Sequence, residues 1–419
     1  MKLLVFYPYV PYPLNRGAHY RLYHLLKGLA RDHAVDLIAL SENFEGYNHK
    51  DIFEEFCGRV HFVAFNHPAW EKFFPRRILN ALPSTIAHWT IPAVERALDE
   101  MLSTGNYDAV HICDIVLAQY FLKKNRRWPL IVDRTRVDLQ YQLMEQKRMK
   151  FSLKSRALNL ENLAKLWNYE RAVAQASRFQ VVCGPDDESF TRKYISKQVP
   201  VSVIPNGVDL SYFNPESSTE ARDAHPTVVF CGAMDYNPNV DALRWYFSEI
   251  HGLVKARIPE LRVLIVGKDP IPEVKAYGIK AGVEVTGGVP DVRPYYRRAW
   301  VQIVPIRIGG GTRLKIVESL GMKTAVVSTT IGAQGLGLRH GIDILLGDTV
   351  KDFADQVIIA LGDPALRLKL EEQGIESART RLSWVGLGQQ LSDLYTRERL
   401  GLPANPSKTM PEPELVSGP

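Results

Sequence analysis

The chain has 419 residues, a hydrophobic fraction of 46% and a formal net charge of +6. One hydrophobic core rarely organises that much chain, so two domains are expected; the modest charge suits acidic or phosphorylated small partners and does not mark a nucleic-acid binder. Cys57, Cys113, Cys183 and Cys231 lie far apart with no Cys-x-x-Cys pair or Cys/His cluster, which argues against a zinc site or a disulfide scaffold and fits a reducing compartment.

Met1 to Tyr7 is a short apolar run halted by Pro8. It lacks the long apolar core and small-residue cleavage site of a secretory signal and reads as a buried strand, Leu3 to Tyr7. No window is long and uncharged enough to span a bilayer. The expected location is cytoplasmic, with a peripheral place on the inner face of the plasma membrane open to it. The loop Pro8 to Gly17 leads into a helix from about Ala18 to Ala30, with Leu22, Leu25, Leu26 and Leu29 on one face. Strands follow at Val35 to Leu40, Val60 to Phe65, Tyr107 to Cys113 and Pro129 to Asp133. This alternation predicts a largely parallel sheet with helices on both faces. Asp138 to Val173 reads as helical and basic: Lys123 to Lys165 holds 12 Lys/Arg against 4 Asp/Glu. It is either a solvated helix pair or a surface for a phosphorylated or lipid-anchored acceptor, with peripheral membrane contact through 123–165.

Asn206 to Ala224 is polar and turn-rich and reads as a linker. A second alternating unit begins near Thr227. Its strands are Val228 to Cys231, Leu261 to Val266, Val283 to Thr286, Trp300 to Pro305 and Thr324 to Ser328, with a helix at about Val240 to His251. Leu382 to Tyr395 reads as helical. From Gly401 the tail holds Pro, Ser and Glu with little to bury, and disorder is expected there.

In parallel α/β sheets ligands sit beyond the carboxyl ends of the strands, and four loops fall there. Asn15-Arg16-Gly17 precedes a helix: Gly17 lets the backbone approach a ligand, the helix start favours an anion, and Arg16 adds charge. An ordinary turn glycine is the competing reading. Ile308 to Leu320 runs three glycines (Gly309, Gly310, Gly311) straight into a helix. Its amides, the Thr312 hydroxyl, Arg313 and Lys315 suit a diphosphate, and the Glu318 carboxylate suits ribose hydroxyls. It is neither a Walker A loop nor a dinucleotide fingerprint; a flexible turn capping a packed helix is the alternative. His111 and Asp114 close a strand where a sugar can be met, unless His111 is a hydrogen-bonded core residue. In the loop from Gly232 to Val240, Asn239 can cap the following helix, while Asp235 and Asn237 can line a ligand site. No Asp-x-Asp occurs, so a metal-bridged diphosphate is not expected; protein cations would do that work, with no metal ligands and no cofactor.

Several stretches together resemble the retaining glycosyltransferases called group 1 or family 4, of GT-B fold. They are Ile204-Pro205-Asn206-Gly207-Val208-Asp209 with Phe213, the run Gly232 to Phe247, Pro305 to Thr329, Ile331 to Leu336, and His340 to Asp343. The likeness covers about Lys2 to Tyr395. It implies an α/β chain of two Rossmann-like domains with the active site in the cleft between them. Residues 1–204 would be the acceptor domain, 205–383 the nucleotide-sugar domain, and a helix at about 384–400 would pack back on the first, leaving 401–419 as a tail. The implied activity is metal-independent glycosyl transfer (EC 2.4) from a UDP-sugar or GDP-sugar to a glycan, lipid-linked or small-molecule acceptor, as in polysaccharide biosynthesis. Glu318 matches the second glutamate of the family's Glu-x7-Glu motif, and Gly17 matches the glycine that approaches the donor phosphate. Gly310 stands where the first glutamate falls. His111-Ile112-Cys113 stands where many relatives have His-x-His, Gln334 where a sugar-side glutamate is frequent, and the loop Met234 to Asn239 where relatives carry Arg and Lys. The expected catalytic set is therefore His111, Asp114, Arg313 and Lys315. The expected donor set is Arg16, Gly17, Gly232, Gly310, Gly311, Thr312, Glu318 and Gln334. A nucleotide-sugar epimerase of the same shape and a non-catalytic scaffold are the competing functions.

Overall fold

The structure is a computed structural model that describes residues 1–42, 47–65, 80–122, 128–146 and 153–399. The expected tail at 401–419 and parts of the basic stretch lie outside these residues. Internal contacts separate two units: Met1–Ile204 with the chain from Leu387, and Pro205–Gly386. Among the described residues no helix is long and apolar enough to cross a membrane.

The first unit is built on a seven-stranded parallel sheet. Its strands are β1 (Lys2–Tyr7), β2 (Ala34–Glu42), β3 (Val60–Phe65), β4 (Ala109–Cys113), β5 (Leu130–Asp133), β6 (Ser177–Val182) and β7 (Val201–Val203), in the order β3-β2-β1-β4-β5-β6-β7. Leu3 to Tyr7 are wholly buried, as expected of a strand covered by helices on both faces, where an apolar run replaces alternation. β6 and β7 were not evident from the sequence. β6 emerges from the helix Leu153–Ala176 with no intervening residue, so no glycine or proline marks the change, and β7 is only three residues long.

The helix Gly17–Asp32 buries the predicted leucine face and also Arg21. Gly28 on it meets Gly388 of the last helix, Trp384–Arg399: a Cβ at Gly28 would lie 2.5 Å from the Gly388 Cα. Only two glycines let these backbones approach so closely. Tyr395 of the same helix is buried against Phe179 and His33.

The second unit repeats the plan with six parallel strands. They are β8 (Thr227–Cys231), β9 (Arg262–Val266), β10 (Val283–Gly287), β11 (Val301–Val304), β12 (Ala325–Ser328) and β13 (Leu345–Leu346), in the order β10-β9-β8-β11-β12-β13. The segment read as a linker is instead built into this unit. Val208 and Phe213 are buried in its core, Val208 pairs with Ser383, and Arg222 and Asp223 bind Glu371 and Arg298. Its polar residues anchor a surface strap, so composition alone misread it.

In both sheets the chain steps outward from the first strand, then returns to its other side. The order reverses between β1 and β4, and between β8 and β11. Such a switch point leaves a crevice beyond the carboxyl ends of the two strands, where ligands bind in this architecture.

Candidate functional site

In the second unit the crevice is framed by Gly232, which follows β8, and by the loop after β11. Gly232 has φ +155, and a Cβ there would lie 2.6 Å from Asn239 Nδ2 and 3.0 Å from Lys315 Nζ. Glycine therefore leaves the room in which these two side chains meet. The helix Leu314–Gly321 follows the triple-glycine loop, and the amides of Leu314 and Lys315 at the start of its first turn have no partners within the helix. Lys315 stands in that first turn. Its ammonium donates to Asn239 Oδ1 at 2.8 Å and lies 4.0 Å from the Phe230 ring centroid. Burial, aided by Arg313 and opposed by Cys231 and Glu318, lowers its pKa to about 7. One turn on, Glu318 accepts a 2.9 Å hydrogen bond from the Tyr296 hydroxyl. Burial raises its carboxyl to about 6, with Tyr296 and Lys315 opposing.

The other loop residues have different tasks. Arg313 Nη1 donates to the carbonyls of Gly310 (2.6 Å) and Gly311 (2.7 Å). The guanidinium expected to meet a diphosphate thus also braces the glycine loop. Thr312 Oγ1 accepts from the Asn206 amide at 2.9 Å, and its carbonyl from Asn206 Nδ2 at 3.2 Å, so Thr312 ties the loop to the strap. Gln334 lies half-buried in the turns after β12, two strands from β8. Asn239 does not cap its helix, which begins at Asn237 after Tyr236; it bridges the Ala233 carbonyl and Lys315. Asn239, Phe230 and Tyr296, which hold the two charged groups, were not singled out by sequence as donor-site residues. The Asn-Pro-Asn turn was a visible signal for the first, and nothing local marked the other two.

In the first unit the crevice lies between β1 and β4. Arg16 is the extended residue before the helix and Gly17 its first residue. Across from them, Asp114 leaves β4 with φ +73, and its carboxylate accepts from the Ile115 amide at 2.7 Å. A non-glycine residue held there stores strain, a feature that collects at functional sites. Burial first, then Asp138, raises its carboxyl to about 7, while Arg136 and Arg134 pull it down.

His111 does not join Asp114. It is the middle residue of β4, wholly buried, with Nδ1 2.6 Å from the Tyr395 hydroxyl. The strand's alternation turns it into the layer that the last helix covers. This corrects its expected place at the strand's end. Burial lowers its pKa from 6.5 to about 4, with Asp133 opposing and Arg21 assisting. Between those values the unfolded chain binds the proton and the folded chain refuses it. Stability is thus fully present above pH 6.5 and falls by up to about 3 kcal/mol as pH drops towards 4. Urea titrations at pH 7 and 4.5 check this: His111→Asn should shrink the difference, and an unchanged difference would assign it to other groups.

Among the described residues no three His, Cys, Asp or Glu side chains gather as a metal site, and all four cysteines are buried thiols.

Two parallel sheets, each with a reversal point and a glycine-lined crevice, define a two-domain Rossmann-like α/β protein of GT-B fold. Residues 225–363 match the family model described as Glycosyl transferases group 1. A D-inositol 3-phosphate glycosyltransferase of Nocardiopsis dassonvillei is 27% identical over 316 residues, covering 69% of this chain and 70% of that protein. An uncharacterised 44.6 kDa protein of the cps region of Klebsiella pneumoniae is 28% identical over 139 residues, 31% of this chain and only 36% of its own length. Among solved structures, sucrose-phosphate synthase of Thermosynechococcus elongatus superposes with TM-score 0.71 at 18% identity, covering 96% of this chain and all of that one. Anabaena HepE in complex with UDP gives 0.63 at 14% identity, covering 94% of this chain and all of that one.

Proposed function

We propose that the protein is a retaining, metal-independent glycosyltransferase of family 4, moving a sugar from a UDP-sugar or GDP-sugar to an acceptor hydroxyl on a glycan, lipid-linked or small-molecule acceptor. The observation that carries this reading is the pairing of Lys315 with Glu318 on the first turns of one helix, beside Gly232 at the β8/β11 reversal. An ammonium and first-turn amides suit a diphosphate, and a carboxylate one turn further in suits the vicinal hydroxyls of ribose. Relatives named as D-inositol 3-phosphate glycosyltransferases, and a fold neighbour in complex with UDP, support a nucleotide-sugar donor.

In the reaction the bond from the anomeric carbon to the phosphate oxygen breaks. The acceptor oxygen bonds to that carbon from the same face, and its proton passes to the departing phosphate oxygen. Lys315 and the amides of the loop stabilise the diphosphate charge as it develops. Arg313 contributes by holding those amides in place. Asp114, at the reversal of the first sheet, with Arg16 and the Gly17 amide nearby, orients the sugar or acceptor hydroxyls. His111 supports the sheet beneath it.

Calorimetric titration with UDP, GDP and ADP in the presence of EDTA tests the donor site. One nucleotide should bind, and Glu318→Ala should weaken it about 10- to 100-fold, the worth of a charged hydrogen bond of about 1.5–3 kcal/mol. Failure of all three to bind, or an unaltered affinity in the variant, would overturn the assignment. With the matching nucleotide sugar, release of nucleotide that depends on acceptor distinguishes transfer from epimerisation.

A further inference from the structure

The first unit carries a second recess that none of the reaction residues line. It encloses about 340 Å³ between the helix Leu153–Ala176 and the chain that leads from Arg192 to Gln198. Trp167 and Tyr194 form its walls and are 42% and 50% exposed. Their exposure is not looseness: Trp167 Nε1 donates to the Tyr194 carbonyl at 2.7 Å, which fixes the two walls together. A π-helical turn, Thr191–Ile195, presents Tyr194; such turns recur at functional sites.

The charges around the rings have one sign. Arg171, Arg192, Lys193 and Lys197 line the recess, and no described carboxylate does. Arg192 is answered by Glu188 at 2.9 Å. Arg171 lies 5.0 Å from the Trp167 ring centroid and Lys193 5.0 Å from that of Tyr194. Cations held against aromatic faces are already partly desolvated and oriented, and they remain available to an anion.

Location decides between kinds of anion. Gln175 precedes β6 and Gln198 precedes β7 by only a few residues, so the recess opens toward the amino ends of these parallel strands. Asp114 and Gly17 lie at the carboxyl ends of their sheet. A strand of six residues separates the two levels by roughly 20 Å. A flat bilayer held at the recess would therefore lie at the end of the sheet away from the proposed acceptor residues. A flexible chain can reach both. Ring faces beside cations match a saccharide whose C–H faces stack on Trp167 and Tyr194 and whose carboxylates or phosphates meet Arg171, Lys193 and Lys197.

We propose that this recess is a non-catalytic binding site for an acidic glycan, holding a stretch of anionic polysaccharide apart from the site of transfer. The test uses the full-length protein and hexagalacturonate as probe, with neutral maltohexaose and phosphatidylglycerol-containing vesicles alongside. Hexagalacturonate should bind at low salt, weaken as ionic strength rises, and lose at least five-fold in affinity in Lys193→Ser/Lys197→Ser and in Trp167→Phe, with nucleotide binding unchanged in both. Maltohexaose should bind at least ten-fold more weakly. The proposal is overturned if hexagalacturonate does not bind, if the variants bind it as well as the parent, or if vesicles alone bind in a manner these variants abolish.

Discussion

Asp133→Leu is expected to destabilise the first unit by about 3–5 kcal/mol, the usual consequence of removing one partner of a buried ion pair. Asp133 closes β5 and Arg21 projects from the helix Gly17–Asp32; their side chains are 0% and 1% exposed. Arg21 Nη2 donates to Asp133 Oδ1 at 2.6 Å, and Nη1 to the Ile204 carbonyl at 2.8 Å. Without the carboxylate, a guanidinium that cannot neutralise itself at any accessible pH stays in an apolar layer. Hydrogen exchange at the amides of β1, β4 and β5 is the suitable measurement, because a chain of two units need not unfold in one step. The double variant Arg21→Met/Asp133→Leu should recover most of the loss, since a buried pair is worth little more than the apolar side chains that could replace it. A single variant as stable as the parent would mean that Arg21 finds water. The pair also bears on function: the Asp133 carbonyl accepts the Asp114 amide at 2.8 Å, so loosening β5 should loosen the strained carboxylate beside it.

That pair illustrates what the sequence could and could not disclose. Most strands were legible because helices cover both faces of each sheet and the buried runs are short and apolar. Arg21 was not, because its partners lie 112 and 183 residues away, and helical spacing around it showed only leucines. The glycine loop running straight into a helix was legible from composition. The direction of Arg313 was not, since a flexible guanidinium can turn outward or back to its own carbonyls with the same local sequence. His111 and Asp114 looked equivalent at the end of one apolar run; strand alternation and the start of the 3₁₀ turn at Ile115 separate them, and both depend on where the strand stops. The strap Asn206 to Ala224 was misread because polar residues that bind other polar residues far along the chain look like solvated ones.

Lys315→Met should lower turnover about 10²–10³-fold, the effect of removing a preorganised charge partner of a developing oxyanion. Methionine keeps an unbranched apolar stem and removes the ammonium that sits 4.0 Å from the Phe230 ring centroid, so the change tests the charge. The proton balance gives a sharper expectation. In the free protein Lys315 titrates near 7 because it is buried. A bound diphosphate replaces the lost hydration with negative charge, which favours the ammonium and raises the pKa in the complex. The protonated lysine is therefore the binding form. Affinity should be nearly flat between about pH 6, where the Glu318 carboxyl titrates, and pH 7, and fall up to tenfold per unit above it, until the pKa of the complex is reached. At pH 8 most free molecules have lost the proton, so binding should take up close to one proton. Titrations in buffers of different ionisation enthalpy read that uptake directly. In Lys315→Met the uptake and the pH slope should both vanish, whereas in Asn239→Ala, which leaves the ammonium in place but removes its 2.8 Å partner, the uptake should persist while affinity drops. Uptake that survives in Lys315→Met would assign the proton to another group, with Glu318 the first to examine, since its carboxyl is already raised to about 6 by burial.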